Sequence, residues 1–405
     1  MKKETIAKTG ATMLTMAMLL NGTPVFAAGS NYGTPIGGTK TTTFDKFLVM
    51  DQQANVPNVS FTYGVTAGAA KAYNNVDGQK VQILAGVDAD KVTMAGVGTG
   101  AANTIQYAPE DTTAQDTNDL VKNYDRATEK YAKKTATLDF SECNFTEPGI
   151  YRYIITESGT NQAVTNDEDV TRVVDVYVND ASDADGKKLT IAGYVLHSSE
   201  SEIGAGVDFG SDGTDPDGKS QGFTNEYDTS DLTFKKEVSG NQASHDKYFK
   251  FTVEITGAVA GTKYNVDLSK ADATSGSNAA TITANEGKTN PTELTVETDG
   301  TVTQDFYLQH GQEITIQGIA KDSEYSVTEN AEDYKSTEAG VAEYTAPANG
   351  TIVSTDLKTS YLNTRAGVIP TGVMMTVAPF AAVTLLGAAG MVKIRMSKKR
   401  EDDEE

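Results

Sequence analysis

The sequence predicts a mainly β protein with two tandem β-sandwich domains between an N-terminal signal peptide and a C-terminal transmembrane segment. Three observations carry this prediction. Short alternating runs of β-branched and aromatic residues recur along the chain, and turn residues separate these runs. In addition, the same three chemical groups, an amine, a carboxyl and a carboxamide, recur in the same order in both halves.

The N-terminus has the pattern of a secretory signal peptide. Lys2, Lys3 and Lys8 precede an uncharged run at residues 11–20, and small residues follow up to Ala27. A basic start, an apolar centre and a small-residue cleavage site are the three parts of such a signal. We therefore expect residues 1–27 to be removed; a short amphipathic first helix is the weaker alternative.

The body of the chain reads as β-strands. Alternating runs lie at residues 61–65, 151–155, 173–178, 249–253 and 313–316, each bounded by turn residues. Residues 115–134 are the exception, since apolar residues recur there at helical spacing, and we expect one helix or a partly ordered insertion.

The C-terminus predicts a transmembrane segment. Residues 373–392 contain no charge, and a basic cluster at residues 393–400 follows them before an acidic tail. Twenty such residues are long enough to span a bilayer, and the basic cluster should remain on the cytoplasmic side.

Composition excludes several classes of protein. The net charge of −22 repels a phosphate backbone, so we expect no nucleic-acid partner. The single Cys143 cannot form an internal disulfide, and three scattered histidines do not suggest a metal or catalytic cluster. Residues 183–186 and 215–218 resemble calcium loops only faintly, and hairpin turns explain them better. His310 is predicted to lie in a turn. We expect no cofactor and no metal.

A repeat divides the body in two. Lys46 lies in the first β run of the first half, Glu157 in a middle run and Asn225 in the last; Lys236, Glu329 and Asn363 follow the same order in the second half. The boundary should lie between Tyr227 and Asp231. The predicted units are residues 1–27 (signal peptide), 28–227 and 228–367 (β-sandwich domains) and 368–405 (sorting signal).

The recurring trio supports a specific reaction. Burial lowers the pKa of an amine and raises that of a carboxyl, so a neutral lysine and a neutral glutamic acid can coexist in a core. The glutamic acid would polarise the asparagine carbonyl and move protons while the amine displaces ammonia. The product is an intramolecular isopeptide bond. We expect the apolar pockets to be lined by aromatic neighbours, namely Phe44, Phe47, Phe223, Phe234 and Tyr361. The alternative is that both lysines and both glutamates make solvated surface pairs.

Several segments also resemble a known family, the two-domain major pilins of Gram-positive cocci, and in particular the isopeptide-containing backbone pilin of group A streptococcus. The segments are residues 56–63 (VPNVSFTY), 138–142 (LDFSE), 147–151 (EPGIY), 236–240 (KEVSG), 370–373 (PTGV) and 375–379 (MTVAP). The resemblance implies immunoglobulin-like, isopeptide-containing domains. It implies crosslinks from Lys46 to Asn225 and from Lys236 to Asn363, with Glu157 and Glu329 as the catalytic carboxyls.

The resemblance also implies a sortase motif at Ile369, Pro370, Thr371 and Gly372, cleaved after Thr371. A sortase thiolate would hold the body as a thioester at Thr371 until an amine resolves it. In the family this amine is a lysine of the next subunit, and Lys219 matches it; Lys188, in a similar turn, is the rival acceptor. Residues 368–405 would then be a cell-wall sorting signal, and the protein would meet a membrane only before sorting. The chain departs from the family in two places. Residues 368–369 are Val-Ile where the family has Glu-Val, and the first domain is longer, which suggests an antigenic or adhesive insertion at about residues 69–134.

These interpretations make the protein a structural backbone subunit of a covalent pilus, exported and anchored to a Gram-positive cell wall. Its expected partners are identical subunits and a pilin-specific sortase, with minor pilins and a host receptor as further candidates. The alternative is an adhesin, displayed singly or at a fibre tip, that binds a host ligand. Apart from the single-turnover crosslinking, no catalytic constellation is visible, so we expect no enzyme activity.

Overall fold

The computed structural model describes residues 37–74, 80–118, 120–184, 186–198, 220, 222–271 and 289–368. The predicted signal peptide, Lys219 and the sorting signal from Ile369 onward lie outside these ranges. Within them, no helix is long and apolar enough to cross a membrane. The sole helical segment of the described chain is a 3-10 turn, Ala89–Lys91.

Strands β1 to β14 form the first domain. Their bounds are β1 Gly37–Gly38, β2 Thr41–Asp51, β3 Ser60–Ala67, β4 Lys71–Asn74, β5 Lys80–Ala85, β6 Thr93–Met94, β7 Thr104–Gln106, β8 Thr113–Ala114, β9 Glu129–Asp139, β10 Gly149–Ser158, β11 Val164–Thr165, β12 Thr171–Asp180, β13 Leu189–His197 and β14 Gly222–Tyr227. One sheet has the order β1-β13-β12-β10-β3-β7, with β5 beside β10 and β4 beside β5; the other has the order β11-β14-β2-β9-β6, with β8 beside β9.

Strands β15 to β24 form the second domain. Their bounds are β15 Thr229–Ser239, β16 Phe249–Thr256, β17 Lys263–Asp267, β18 Glu293–Thr295, β19 Val302–Leu308, β20 Glu313–Ala320, β21 Glu324–Glu329, β22 Lys335–Glu338, β23 Asn349–Thr351 and β24 Leu357–Thr364. The two sheets have the orders β18-β17-β20-β15-β24-β22 and β19-β16-β21-β23.

Alternation explains why these segments are strands. In β3 the buried Phe61 and Tyr63 alternate with exposed residues, and in β16 Phe249, Phe251 and Val253 do the same. The inward residues of the two facing sheets form one large core in each domain. The prediction of a mainly β chain with tandem β domains is confirmed. All five predicted β runs lie within strands of the structure.

In each domain the first long strand and the last strand lie side by side and run parallel. Strand β14 pairs with β2, with Phe223 opposite Lys46. Strand β24 pairs with β15, with Tyr361 opposite Lys236. This pairing brings the two ends of each domain together within one sheet.

The two domains meet at a short, tightly packed junction. Asp228 alone separates β14 from β15, and Thr229 donates a 2.7 Å hydrogen bond to Asp51 at the end of β2. Asn55 donates to the Lys263 carbonyl at 3.1 Å. Gly318, at a φ of +68°, lies so close to Ala54 that a Cβ there would sit 2.5 Å from the Ala54 Cα.

The helix expected within residues 115–134 is absent from their described part, and this expectation was wrong. The chain turns at Asp125, whose carboxylate accepts the Ala127 N–H, and β9 then begins at Glu129. The apolar residues at helical spacing cover an outer sheet face instead. Val121, Tyr124 and Tyr131 pack on Phe47 and Val49, which point away from the main core.

Candidate crosslinking sites

The first site lies in the core of the first domain. Lys46 and Glu157 have side chains that are 0% and 1% exposed, and Lys46 Nζ lies 2.7 Å from Glu157 Oε2. Asn225 donates from Nδ2 to Glu157 Oε1 at 2.6 Å. One carboxylate thus holds the amine and the carboxamide, each on its own oxygen.

Strand register explains why these three side chains meet. Lys46 is opposite Phe223, so Asn225, two residues further along β14, points to the same side of the sheet as Lys46. Glu157 reaches them from β10 in the facing sheet. Residues 111 and 68 positions apart in the sequence therefore converge on one point.

Aromatic rings enclose the first site. Lys46 Nζ lies 4.3 Å from the Phe61 ring centroid and 5.9 Å from that of Phe223. Phe44 packs on Phe223 and on Tyr63. Phe47 was expected in this pocket, but it lies on the outer face against Tyr131, because adjacent residues of a strand point in opposite directions.

The second site repeats the first. Lys236 Nζ lies 2.6 Å from Glu329 Oε1, and both side chains are 0% exposed. Asn363 donates from Nδ2 to the same oxygen at 3.0 Å. Lys236 is opposite Tyr361, so the offset between lysine and asparagine equals that of the first domain. The Phe249 ring lies 4.4 Å from Lys236 Nζ, where Phe61 lies in the first site.

Burial changes the chemistry of both amines. Desolvation lowers the pKa of Lys46 to about 8, although the neighbouring Glu157 acts in the opposite direction. Desolvation likewise lowers the pKa of Lys236 to about 8 against the influence of Glu329. A larger fraction of each amine is therefore in the neutral, nucleophilic form near neutral pH than in an ordinary lysine.

The sequence reasoning missed a hydroxyl at each site. Tyr63 donates to Glu157 Oε2 at 2.7 Å. Ser336 donates to Glu329 Oε2 at 2.9 Å. The signal for Tyr63 is its position directly opposite Glu157 in the β3–β10 pair, a register that only the folded chain defines.

Of the predicted attachment residues, the structure describes Lys188 alone. Lys188 follows the Asp183–Gly186 bridge by two residues; its side chain is 49% exposed and its Nζ lies 2.8 Å from Asp183 Oδ2. Lys219, Ile369, Pro370, Thr371 and Gly372 lie outside the described residues. Ser220, which follows Lys219, donates its N–H to the Leu196 carbonyl at 2.9 Å.

The remaining polar features have structural roles. Cys143 is buried, and desolvation raises the pKa of its thiol to about 11, which makes it a poor nucleophile. Asp183 and Gly186 form an isolated antiparallel bridge, and His310 lies in the turn before β20. Among the described residues, no three His, Cys, Asp or Glu side chains are arranged to hold a metal ion.

Comparison with known proteins places these sites in context. A family model described as a "Spy0128-like isopeptide containing domain" matches residues 91–228, which include Glu157 and Asn225. A second model, described as a domain of unknown function, matches residues 230–365. A protein named "Pilin" from Streptococcus pyogenes serotype M1 is 26% identical over 392 residues, covering 92% of this chain and 96% of the relative.

Several of the solved structures that match are major pilins. The crystal structure of the major pilin from Streptococcus pyogenes is 19% identical and covers 82% of this chain and 100% of its own, with a TM-score of 0.48. The T3.2 major pilin from the same species covers 81% of this chain and 100% of its own, with 19% identity and a TM-score of 0.45. The predicted similarity to the group A streptococcal backbone pilin is confirmed by the sequence relative.

Proposed function

We propose that the protein is the structural backbone subunit of a covalent surface pilus, stabilised in each domain by a Lys–Asn isopeptide bond. The observation that carries the proposal is the recurrence of a fully buried amine, carboxylate and carboxamide at the same parallel register in both domains. Solvated surface pairs, the alternative reading, would not be buried twice in the same arrangement.

The geometry suits amide exchange. The neutral amine of Lys46 attacks Cγ of Asn225, and the new C–N bond forms as the bond from Cγ to Nδ2 breaks. Glu157, in contact with both nitrogens, takes a proton from the amine and delivers it to the leaving nitrogen, which departs as ammonia. Water is not consumed, and the carboxyl returns to its initial state. The reaction is a single turnover that alters the protein itself, so the protein is not an enzyme.

Assembly into a fibre requires attachment points at separated ends. Ser220 lies just before β14, whose other end adjoins Thr229 and the domain junction. Thr364 ends β24 opposite Ser239, at the far end of β15 from that junction. Ser220 and Thr364, the described residues nearest in sequence to the two attachment points, thus lie remote from the junction. This supports head-to-tail joining of Lys219 in one subunit to Thr371 of another by a pilin-specific sortase.

This joining would place the protein on the cell surface as a pilus anchored to the cell wall, with identical subunits as its covalent partners. Minor pilins and a host receptor remain candidates for further partners. A singly displayed adhesin is less favoured, because the most specific feature of both domains is internal crosslinking rather than an open binding site.

An immunoblot of wall-digested, boiled cells tests the fibre. We expect a ladder of multimers that resist SDS, and we expect Lys219→Ala to collapse the ladder to a monomer while Lys188→Ala leaves it intact. A ladder that persists in Lys219→Ala and collapses in Lys188→Ala would move the acceptor. A monomer band alone for the unmodified protein would sink the pilus proposal.

A further inference from the structure

The reaction proposed above places negative charge on the asparagine Oδ1. The glutamate was expected to polarise this carbonyl, but in both sites it bonds the asparagine Nδ2 instead. As the amine adds to the carboxamide carbon, the Oδ1 of the asparagine becomes an oxyanion. A hydrogen-bond donor already aimed at that oxygen strengthens as the charge develops, and it lowers the barrier by the difference between the charged and the neutral bond. The two sites can therefore be compared by what faces each Oδ1.

In the first site a backbone amide faces it. The N–H of Asp167 donates to Asn225 Oδ1 at 3.0 Å. The side chain of Asp167 is also fixed in place, because its carboxylate accepts the N–H of Thr224 at 2.8 Å and an Arg172 guanidinium N–H at 2.6 Å. Asp167 thus bonds two consecutive residues of β14, which fixes its own N–H against the asparagine carbonyl.

In the second site no donor faces it. Asn363 Oδ1 is buried and has no hydrogen-bond partner within the part of the chain that the structure describes. An oxygen in that position gains no stabilisation from the protein as charge develops on it.

The edge strands explain this difference. In the first domain β11 pairs with β14 only at Tyr227 and Glu226, and it ends before it reaches Asn225. The chain is therefore free to turn its next N–H groups toward the side chain of Asn225. In the second domain β22 continues past the corresponding point, with Ser336 opposite Asn363 and Thr337 opposite Leu362.

We propose that the backbone N–H of Asp167 is a catalytic group of the first site, an oxyanion donor that the second site lacks. The inference rests on the proposed isopeptide chemistry, and it predicts which of the two bonds forms first. The Lys46–Asn225 bond forms at least about tenfold faster than the Lys236–Asn363 bond, a conservative figure beside the roughly hundredfold or larger effect of one such donor in acyl transfer.

The test follows ammonia loss during refolding of the full chain, recovered unfolded in urea. Lys236→Ala leaves only the first site reactive, and Lys46→Ala leaves only the second. Intact mass of acid-quenched samples gives each rate, and circular dichroism in parallel identifies the time after which folding is complete. We expect the Lys236→Ala chain to lose ammonia at least about tenfold faster.

The decisive variant removes the N–H and keeps the side chain. Replacing Asp167 by its α-hydroxy acid, in the Lys236→Ala chain, converts the donor N–H into an ester oxygen. We expect the rate of ammonia loss to fall at least about tenfold. The matched control is the same replacement at Asp169, whose N–H donates to the Asp167 carboxylate at 3.1 Å and not to Asn225; its rate should change much less.

The possible outcomes distinguish the oxyanion proposal from the isopeptide chemistry on which it rests. An ester at Asp167 that reacts as fast as the control overturns the oxyanion proposal and leaves the crosslinks standing. If the ester chain does not fold, the two single-site rates decide, and equal rates overturn it. No ammonia loss from any folded chain would overturn the isopeptide chemistry itself.

Discussion

The two sites share their reactive residues and differ in the residues that support them. In the first, Glu157 accepts a hydrogen bond from the hydroxyl of Tyr63, which lies in the core on a strand of the same sheet. In the second, Phe251 occupies the position opposite the glutamate, and the hydroxyl comes from Ser336 on the edge strand. Strand register dictates where lysine, glutamate and asparagine meet, whereas the supporting hydroxyl can come from either side of the site.

The two supporting hydroxyls also differ in whether water can replace them. Tyr63 is 3% exposed, so water does not take the place of its hydroxyl on Glu157 when that hydroxyl is lost. Ser336 is exposed, so water can take its place on Glu329. The first site should thus depend more strongly on its supporting residue than the second.

The largest effect is expected from removing the carboxyl. Glu157→Ala leaves Lys46 buried without its partner, which costs about 3–5 kcal/mol, and it prevents the first crosslink. Losing a crosslink that closes so long a loop removes roughly another 4–5 kcal/mol on entropic grounds. Intact mass should show one retained ammonia, and thermal unfolding should show the loss of stability.

Glu329→Ala should do the same to the second domain alone, and Glu226→Ala, an exposed carboxylate on β14, serves as the control. A Glu157→Ala chain that still loses two ammonia molecules would contradict the assigned role of the carboxyl.

The next effect concerns the hydroxyl of the first site. In a chain that cannot crosslink, made with Asn225→Ala, the further change Tyr63→Phe removes one hydrogen bond to a charged group. We expect a loss of roughly 1.5–3 kcal/mol in the free energy of unfolding, measured by urea titration. Tyr227→Phe is the matched control, because the Tyr227 hydroxyl is buried and has no hydrogen-bond partner among the described residues, so its loss should cost little. Equal costs for the two changes would argue against a supporting role for Tyr63.

The pH dependence of crosslinking should be alike in both domains. Only the neutral amine attacks, and burial lowers the pKa of Lys46 and of Lys236 to about 8. As pH rises through that value the neutral fraction grows, so each rate should rise roughly tenfold per pH unit below 7 and level off above about pH 9. Refolding of the Lys236→Ala and Lys46→Ala chains across this range provides both profiles. A rate that climbs unchanged to pH 10 would mean that the lysine keeps its ordinary pKa.

The smallest effect is expected at the edge strand. In a chain that carries Asn363→Ala, the change Ser336→Ala should cost less than about 1 kcal/mol, because water can replace the exposed hydroxyl. Urea titration beside Thr337→Ala, an exposed neighbour on β22, gives the comparison. A cost as large as that of Tyr63→Phe would erase the proposed difference between the two sites.

The sequence was sufficient for the strands and for the order of the reactive residues, since alternation and repetition are local or directly countable features. It was insufficient wherever register or chain path decided the outcome. The contact of Tyr63 with Glu157 depends on which residues of β3 and β10 face each other. The Asp167 donor depends on where β11 ends. The segment around Val121 has helical spacing because it covers an outer sheet face, a cause that no single-segment pattern reveals.

The parallel pairing of first and last strands also has a topological consequence. With both crosslinks formed, each domain is a closed covalent ring, and a protease that cuts any one peptide bond inside a ring leaves a single molecule of undiminished size. One cut can divide the protein only where the chain belongs to neither ring, and between the rings that stretch is residues 226–235. These residues lie almost wholly in β14 and β15, paired with neighbouring strands and largely buried. Between the two rings, the bonds whose cleavage would divide the protein thus lie in paired, largely buried strands, where a protease reaches them less easily than in an exposed loop.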